Sequence, residues 1–147
     1  MYNLNESWWK DNIKFFKPEE FAATKQLAFD HINSELVLKL NVLRLYIGAP
    51  IIVHTGYAVD GHSTKSQHYL GNAADLHIEG MTLIAQYLIA ERFGWGGLGL
   101  YPFWNNPGLH VDVRTTTPAT RWVCNENGNY EPLTENWLGA ILGVNHA

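Results

Sequence analysis

Ser66-Gln67-His68-Tyr69-Leu70-Gly71-Asn72-Ala73-Ala74-Asp75 is answered far along the chain by Leu109-His110-Val111-Asp112-Val113. The interval from His68 to Asp75, with Gly71 inside it, does not fit the i, i+4 pair of a metal-binding helix. It fits a loop that delivers His68, turns at Gly71 and enters a strand carrying Asp75. Ala73-Ala74-Asp75-Leu76-His77-Ile78 alternates as a half-buried strand does, and the two-residue period sets Ala73, Asp75 and His77 on one face. The second stretch alternates in the same way, with His110 and Asp112 on one face and Leu109, Val111 and Val113 on the other. Two such strands, polar faces turned the same way, bring Asp75 and His110 together.

Working outward, Leu98-Gly99-Leu100-Tyr101 reads as a strand, and Asn105-Asn106-Pro107-Gly108 turns the chain back into the His110 strand. That hairpin makes the sheet at least partly antiparallel. Arg121-Trp122-Val123 and Tyr130-Glu131-Pro132 flank Asn125-Glu126-Asn127-Gly128 as a second hairpin. Upstream, Ile51-Ile52-Val53 is a strand. It follows a helix capped at Asn33 or Ser34, whose Leu36, Leu40, Leu43 and Ile47 recur at helical spacing, stopped by Gly48 and Pro50. Before it, an amphipathic segment over 7–16 and a Pro-led start at Lys17-Pro18-Glu19-Glu20 predict two short helices. Thr82 caps a helix to about Phe93, with Leu83, Tyr87 and Leu88 as its buried face, and Thr134 caps a last helix to about Leu142. No repeat or linker divides residues 1–147. The expected fold is one α+β domain, a mainly antiparallel sheet flanked by helices.

The chemistry follows from the donors. Catalytic zinc takes three protein ligands from His, Asp or Glu and keeps a fourth position for water or substrate. His68, Asp75 and His110 form such a set around one zinc ion, which points to metal-assisted hydrolysis. Asp112 is the candidate general base because it shares a strand face with His110. The alternative is a carboxylate bonded to a ligand imidazole, fixing its tautomer. His77, His62 and His54 are further cleft candidates, each also readable as a hydrogen-bonded structural histidine. Ser66 is expected to bond the loop that orients His68. Arg114 either pairs with a structural carboxylate or meets a substrate carboxylate, and Lys65 places a cation near the metal loop.

The pattern S-x-H-x-x-G-x-A-x-D, matched at Ser66, His68, Gly71, Ala73 and Asp75, resembles the signature of the zinc D-alanyl-D-alanine carboxypeptidases and related peptidoglycan endopeptidases, which share the Hedgehog/DD-peptidase fold. The resemblance covers residues 16–114. It implies zinc on His68, Asp75 and His110, and cleavage of a peptide bond in the bacterial cell-wall stem or cross-link. Two departures stand out. The family's S-G-Y-R strand is here Thr55-Gly56-Tyr57-Ala58, without the Arg, and the positions from which many members supply a base are Pro107 and Gly108. Two other functions remain compatible with the residues: a catalytically silent zinc-containing binding module of the same fold, and a metal-dependent hydrolase of an amide outside the cell wall.

Whole-chain properties narrow the partners. The 147 residues carry 10 Lys and Arg against 14 Asp and Glu, a net charge of −4, with pI near 5.9. No basic cluster offers a nucleic-acid footprint. A chain of this size buries about 68–70% of its unfolded surface and forms a real core. Six Trp and seven Tyr read as amphipathic packing rings in preference to a stacking surface. Cys124 is alone and cannot pair within the chain. The start Met1-Tyr2-Asn3-Leu4-Asn5-Glu6 lacks the basic and apolar regions of a secretory signal, and no stretch reaches the ~18 apolar residues of a membrane span. The expectation is synthesis in the cytoplasm without a signal peptide, action on cell-wall peptides, and release by a route such as a phage or prophage provides.

Overall fold

The computed structural model describes residues 3–146; Met1 and Tyr2, with which the amino-terminal reading began, and Ala147 lie outside them. Each helix begins where a side chain can accept a free backbone N–H. Helix α1 (Glu6–Asn12) starts at Asn5, whose side chain accepts the Trp8 amide at 2.8 Å. Helix α2 (Lys25–His31) starts at Thr24, and α3 (Ser34–Ile47) at Asn33. Gly48 ends α3 in the left-handed region, φ 67°, which glycine enters without steric cost. The expected helix at Pro18 is only a single 3-10 turn, Pro18–Glu20. Phe21 is wholly buried there, and its carbonyl is taken by the Tyr57 amide at 2.7 Å, so the chain leaves the helical path.

Strand β1 (Ile51–Thr55) pairs antiparallel with β2 (Ala73–Ile78), with a register shift between Val53 and Thr55. After helix α4 (Leu83–Glu91) come β3 (Gly97–Tyr101) and β4 (Gly108–Asp112), the expected hairpin, then β5 (Thr120–Cys124), β6 (Tyr130–Pro132) and helix α5 (Glu135–His146). The six strands form one sheet in the order β1-β2-β4-β3-β5-β6. All neighbours are antiparallel except β3 and β5, which run parallel. The result is a single α+β domain.

One sheet face makes the core. Leu76, Leu109, Leu100 and Val123 stand in register across four strands, and all are fully buried with Leu36, Val37, Leu40 and Leu43 of α3. Ile47, expected in that helical stripe, packs at its partly buried edge. Leu88 departs from expectation. It is 58% exposed, and the buried side of α4 is instead Leu83, Gln86, Tyr87 and Ala90. Gln86 ties three elements together: it accepts from the Ile78 amide and donates to the Met81 and Pro107 carbonyls, each at 3.1 Å. A buried amide costs little only when its groups are bonded, as these are.

The opposite face carries the polar residues. Asp75, His110, Gly99 and Trp122 form one row across β2, β4, β3 and β5; Ala73, Asp112, Gly97 and Thr120 form the next. β2 was expected to be half-buried, yet five of its six residues are buried. The loop after β1 and the side chains of this second face cover it.

Candidate metal centre

His68 reaches the sheet on a 3-10 turn, Gln67–Leu70. Ser66 caps that turn, its hydroxyl accepting the His68 amide at 3.1 Å. This is the orienting task read for Ser66 in the sequence. Gly71 closes the turn at φ 71°, and a Cβ there would collide with the His31 carbonyl. His68 is 2% exposed. Its Nδ1 lies 2.8 Å from the Gly56 carbonyl and its Nε2 3.2 Å from Asp75 Oδ1.

His110 meets the same oxygen. Its Nδ1 is 3.1 Å from Asp75 Oδ1, and its Nε2 is 2.7 Å from Asp112 Oδ2. Asp112 is wholly buried. Arg114 grips it, Nε donating at 2.9 Å to Oδ1 and Nη2 at 2.6 Å to Oδ2. Gly97 makes the room, since a Cβ there would strike the Asp112 carboxylate. Gly99 does the same for the Trp122 indole, which packs 4.9 Å from the His110 ring.

Tautomers follow from the partners. A carbonyl only accepts, so His68 Nδ1 is the donor and its Nε2 in the neutral ring carries a lone pair. Burial favours a neutral Asp112, yet the bonds from His110 and Arg114 prevail and hold its carboxyl down to about 2. Asp112 is therefore an acceptor at neutral pH, His110 Nε2 donates to it, and Nδ1 of the neutral ring faces Asp75 with a lone pair. Burial likewise raises Asp75, and the bonds from His110 and His68 overcome it, holding it far below the usual carboxylate range. Two imidazole lone pairs and a carboxylate oxygen thus converge with no donor among them. That arrangement calls for a proton or a cation. Burial lowers the His110 pKa, but the bonds to Asp112 and Asp75 raise it above its ordinary value.

His62 joins from the loop. Its ring stacks on His68 at 4.3 Å, and one donor atom each from His62, His68 and Asp75 lie within 4.8 Å of one another, a group able to hold a metal ion. The Tyr69 hydroxyl fixes His62 by accepting its amide at 2.9 Å and donating to its carbonyl at 2.7 Å. Burial and the neighbouring His68 lower its pKa and keep the ring neutral. The sequence placed His62 only as a cleft residue, because nothing local signals that Tyr69 folds the loop back.

Asp112 sits on the opposite imidazole edge of His110 from Asp75, as the orienting role of the two read from the sequence requires. His77 and His54 pair with each other, His54 Nε2 to His77 Nδ1 at 2.6 Å with stacked rings, and Trp104 meets His54 edge-on. The irregularity in β1 brings His54 onto this face, as bulges beside functional sites commonly do. His54 lines a neighbouring part of the cleft, with His77 packed against it.

The cleft has two lobes that share Asp75 and Trp104. One, of about 520 Å³, is bordered by His62, Lys65, His68, His110, Arg114 and Tyr130. The other, of about 410 Å³, is bordered by His54, Thr55, Asn105 and Asn106. Asp75 therefore borders both.

The family model described as peptidoglycan L,D-endopeptidase MepK matches residues 54–122. No curated protein matches the chain. The matched segment holds every member of the cluster, from His54 through His62, His68, Asp75, His110 and Asp112 to Arg114, and over that segment the chain is similar to a family of peptidoglycan peptidases.

Proposed function

We propose that this protein is a zinc-dependent peptidase that hydrolyses a peptide bond inside peptidoglycan peptides, with His68, Asp75 and His110 holding one ion. The observation that supports the reading is that His68 Nε2 and His110 Nδ1 both lie against Asp75 Oδ1, at 3.2 and 3.1 Å, each imidazole being bonded through its other nitrogen to Gly56 or Asp112. Such outward bonds are how ligand histidines are held in the right tautomer. The donor set, two nitrogens and a carboxylate oxygen, is one that zinc accepts. Zinc bound there supplies Lewis-acid polarisation of the scissile carbonyl and lowers the pKa of a water toward ~7.

The chain's own residues do the rest. Asp112, braced by Arg114, keeps the His110 lone pair pointed at the site. His62, neutral and bordering the cleft, is the further imidazole among the described residues placed to take the proton of the attacking water and pass it to the leaving amine, or to add a donor to the ion. A His62→Gln variant separates these tasks: unchanged zinc content with activity lowered about a hundredfold assigns the proton transfer, and lost zinc assigns ligation.

Asp75 borders both lobes of the cleft, as a substrate extending past the cleaved bond in both directions requires. This favours endopeptidase action over removal of a terminal residue. The test is incubation of the zinc-loaded chain with intact sacculi and with purified muropeptides, followed by mass identification of the fragments. Internal cleavage of stem or cross-link peptides, stopped by chelator and restored by zinc, is expected. Bound but uncut sacculi would replace the peptidase with a binding module, and release of single terminal residues would replace the endopeptidase with a carboxypeptidase.

A further inference from the structure

The two lobes of the groove differ in charge. Lys65 and Arg114 both border the larger lobe, and no Lys or Arg borders the smaller one. In a chain of net charge −4, two cations on one side of the cleft and none on the other give the groove a direction.

Arg114 is built for more than bracing Asp112. Its Nε and Nη2 edge is spent on that carboxylate, and its guanidinium lies 5.2 Å from the centre of the Trp122 ring. The side chain is 23% exposed, and Nη1 has no hydrogen-bond partner among the described residues. A guanidinium pinned on one edge and stacked on one face loses little freedom when a further acceptor arrives. Arg114 borders the same lobe as His68 and His110. The exposed Lys65 adds a flexible second charge on the 62–67 side of that lobe.

We infer that the larger lobe binds a free carboxylate of the substrate peptide, with Arg114 Nη1 as the fixed contact and Lys65 as the mobile one, so that the carboxylate-bearing part of the substrate lies on the Arg114 side of the cleaved bond. This rests on the peptidase reading and adds to it the charge and orientation of the substrate. The smaller lobe, which no Lys or Arg borders, takes the part of the peptide that carries none.

The experiment compares a stem peptide having all its carboxylates free with versions in which each in turn is a carboxamide, using the whole zinc-loaded chain. For one of these amides, kcat/KM is expected to fall about tenfold, mainly through KM, as the loss of a hydrogen bond between charged groups predicts. Arg114→Gln should abolish that preference, Arg114→Lys should keep part of it, and Lys65→Gln should reduce it by a smaller factor. Because Arg114 also braces Asp112, a purely structural role would lower turnover of acid and amide equally and leave their ratio intact. An unchanged ratio in Arg114→Gln, or a wild type indifferent to every amidation, overturns the inference. Calorimetric binding of the same peptides reads the preference without cleavage. A protein that prefers the acid yet cuts nothing therefore fails the peptidase reading and keeps the carboxylate site.

Discussion

Asp112 shows how much a single side chain decides at this site. Wholly buried, it accepts from His110 Nε2, from the Arg114 side chain and from the Arg114 amide at 3.1 Å. Removing it strands two donors and a guanidinium in a poorly solvated place, and leaving one partner of a buried ion pair uncompensated costs about 3–5 kcal/mol. Asp112→Ala is accordingly expected to lower stability by about 3 kcal/mol in denaturant melts. Its zinc affinity should fall about 10–100-fold, the usual loss when a group that orients a ligand is removed. An Asp112→Ala protein with full zinc affinity and no turnover would instead make Asp112 the general base. The sequence offered both roles for Asp112 because strand alternation fixes which face a residue takes. It does not fix that the His110 ring would lie along the strand and put Nε2 beside Asp112. For His68, Asp75 and Ser66 the reading was local, a turn and a strand start, and the structure places them as the spacing required.

At the scale of elements, the site depends on side chains that are absent. Gly97 and Gly99 alternate on β3 beneath Asp112 and Trp122, so β3 presents a groove into which its neighbours lean. Gly97→Ala is expected to push the Asp112 carboxylate out of its fork with Arg114 and cost about 1–3 kcal/mol, as overpacking does, with zinc affinity falling alongside. A stable Gly97→Ala protein with unaltered zinc binding would show that the fork has slack. The strand at Leu98-Gly99-Leu100-Tyr101 was legible, and its bare face at Gly97 and Gly99 was not read from it. The parallel pairing of β3 with β5 was not legible either, because the hairpin signal of β5 and β6 says which strands are joined and nothing about where the pair docks. Leu88 misled for a related reason: helical spacing admits two overlapping stripes on α4, and the bonds made by Gln86 select the one that contains it. Helix caps at Asn33, Thr82 and Thr134 were readable, since each depends on a side chain and amides within three residues of it.

Over the whole molecule, the ion pair between α4 and β5 adds a pH dependence of its own to stability. Arg121 from β5 grips Glu91 at the end of α4, with Nη2 at 2.8 Å, and Tyr87 donates to the same carboxylate at 2.6 Å. Burial raises Glu91, but Arg121 and Tyr87 outweigh it and lower its pKa from 4.5. A carboxyl lowered on folding stabilises above its unfolded pKa, and that contribution is lost as pH falls below 4.5 and through the lowered value. Burial and Glu91 push Tyr87 up to about 12 from 10.0. Its contribution is complete below pH 10 and is lost as pH rises through about 12. The difference in melting temperature between wild type and Glu91→Gln should therefore be constant near neutrality and shrink on acidification below pH 4.5. A difference that grows there would assign the pair no stabilising role.

The central claim, that His68, Asp75 and His110 converge on one cation, is tested most directly by calorimetric titration of zinc into chelator-treated protein at several pH values. One ion per chain is predicted, with affinity falling as pH is lowered, because the ligand groups must be deprotonated to bind it. His68→Ala and His110→Ala should each abolish the tight site while the chain stays folded. Zinc bound no better by the wild type than by these two folded variants would contradict the account.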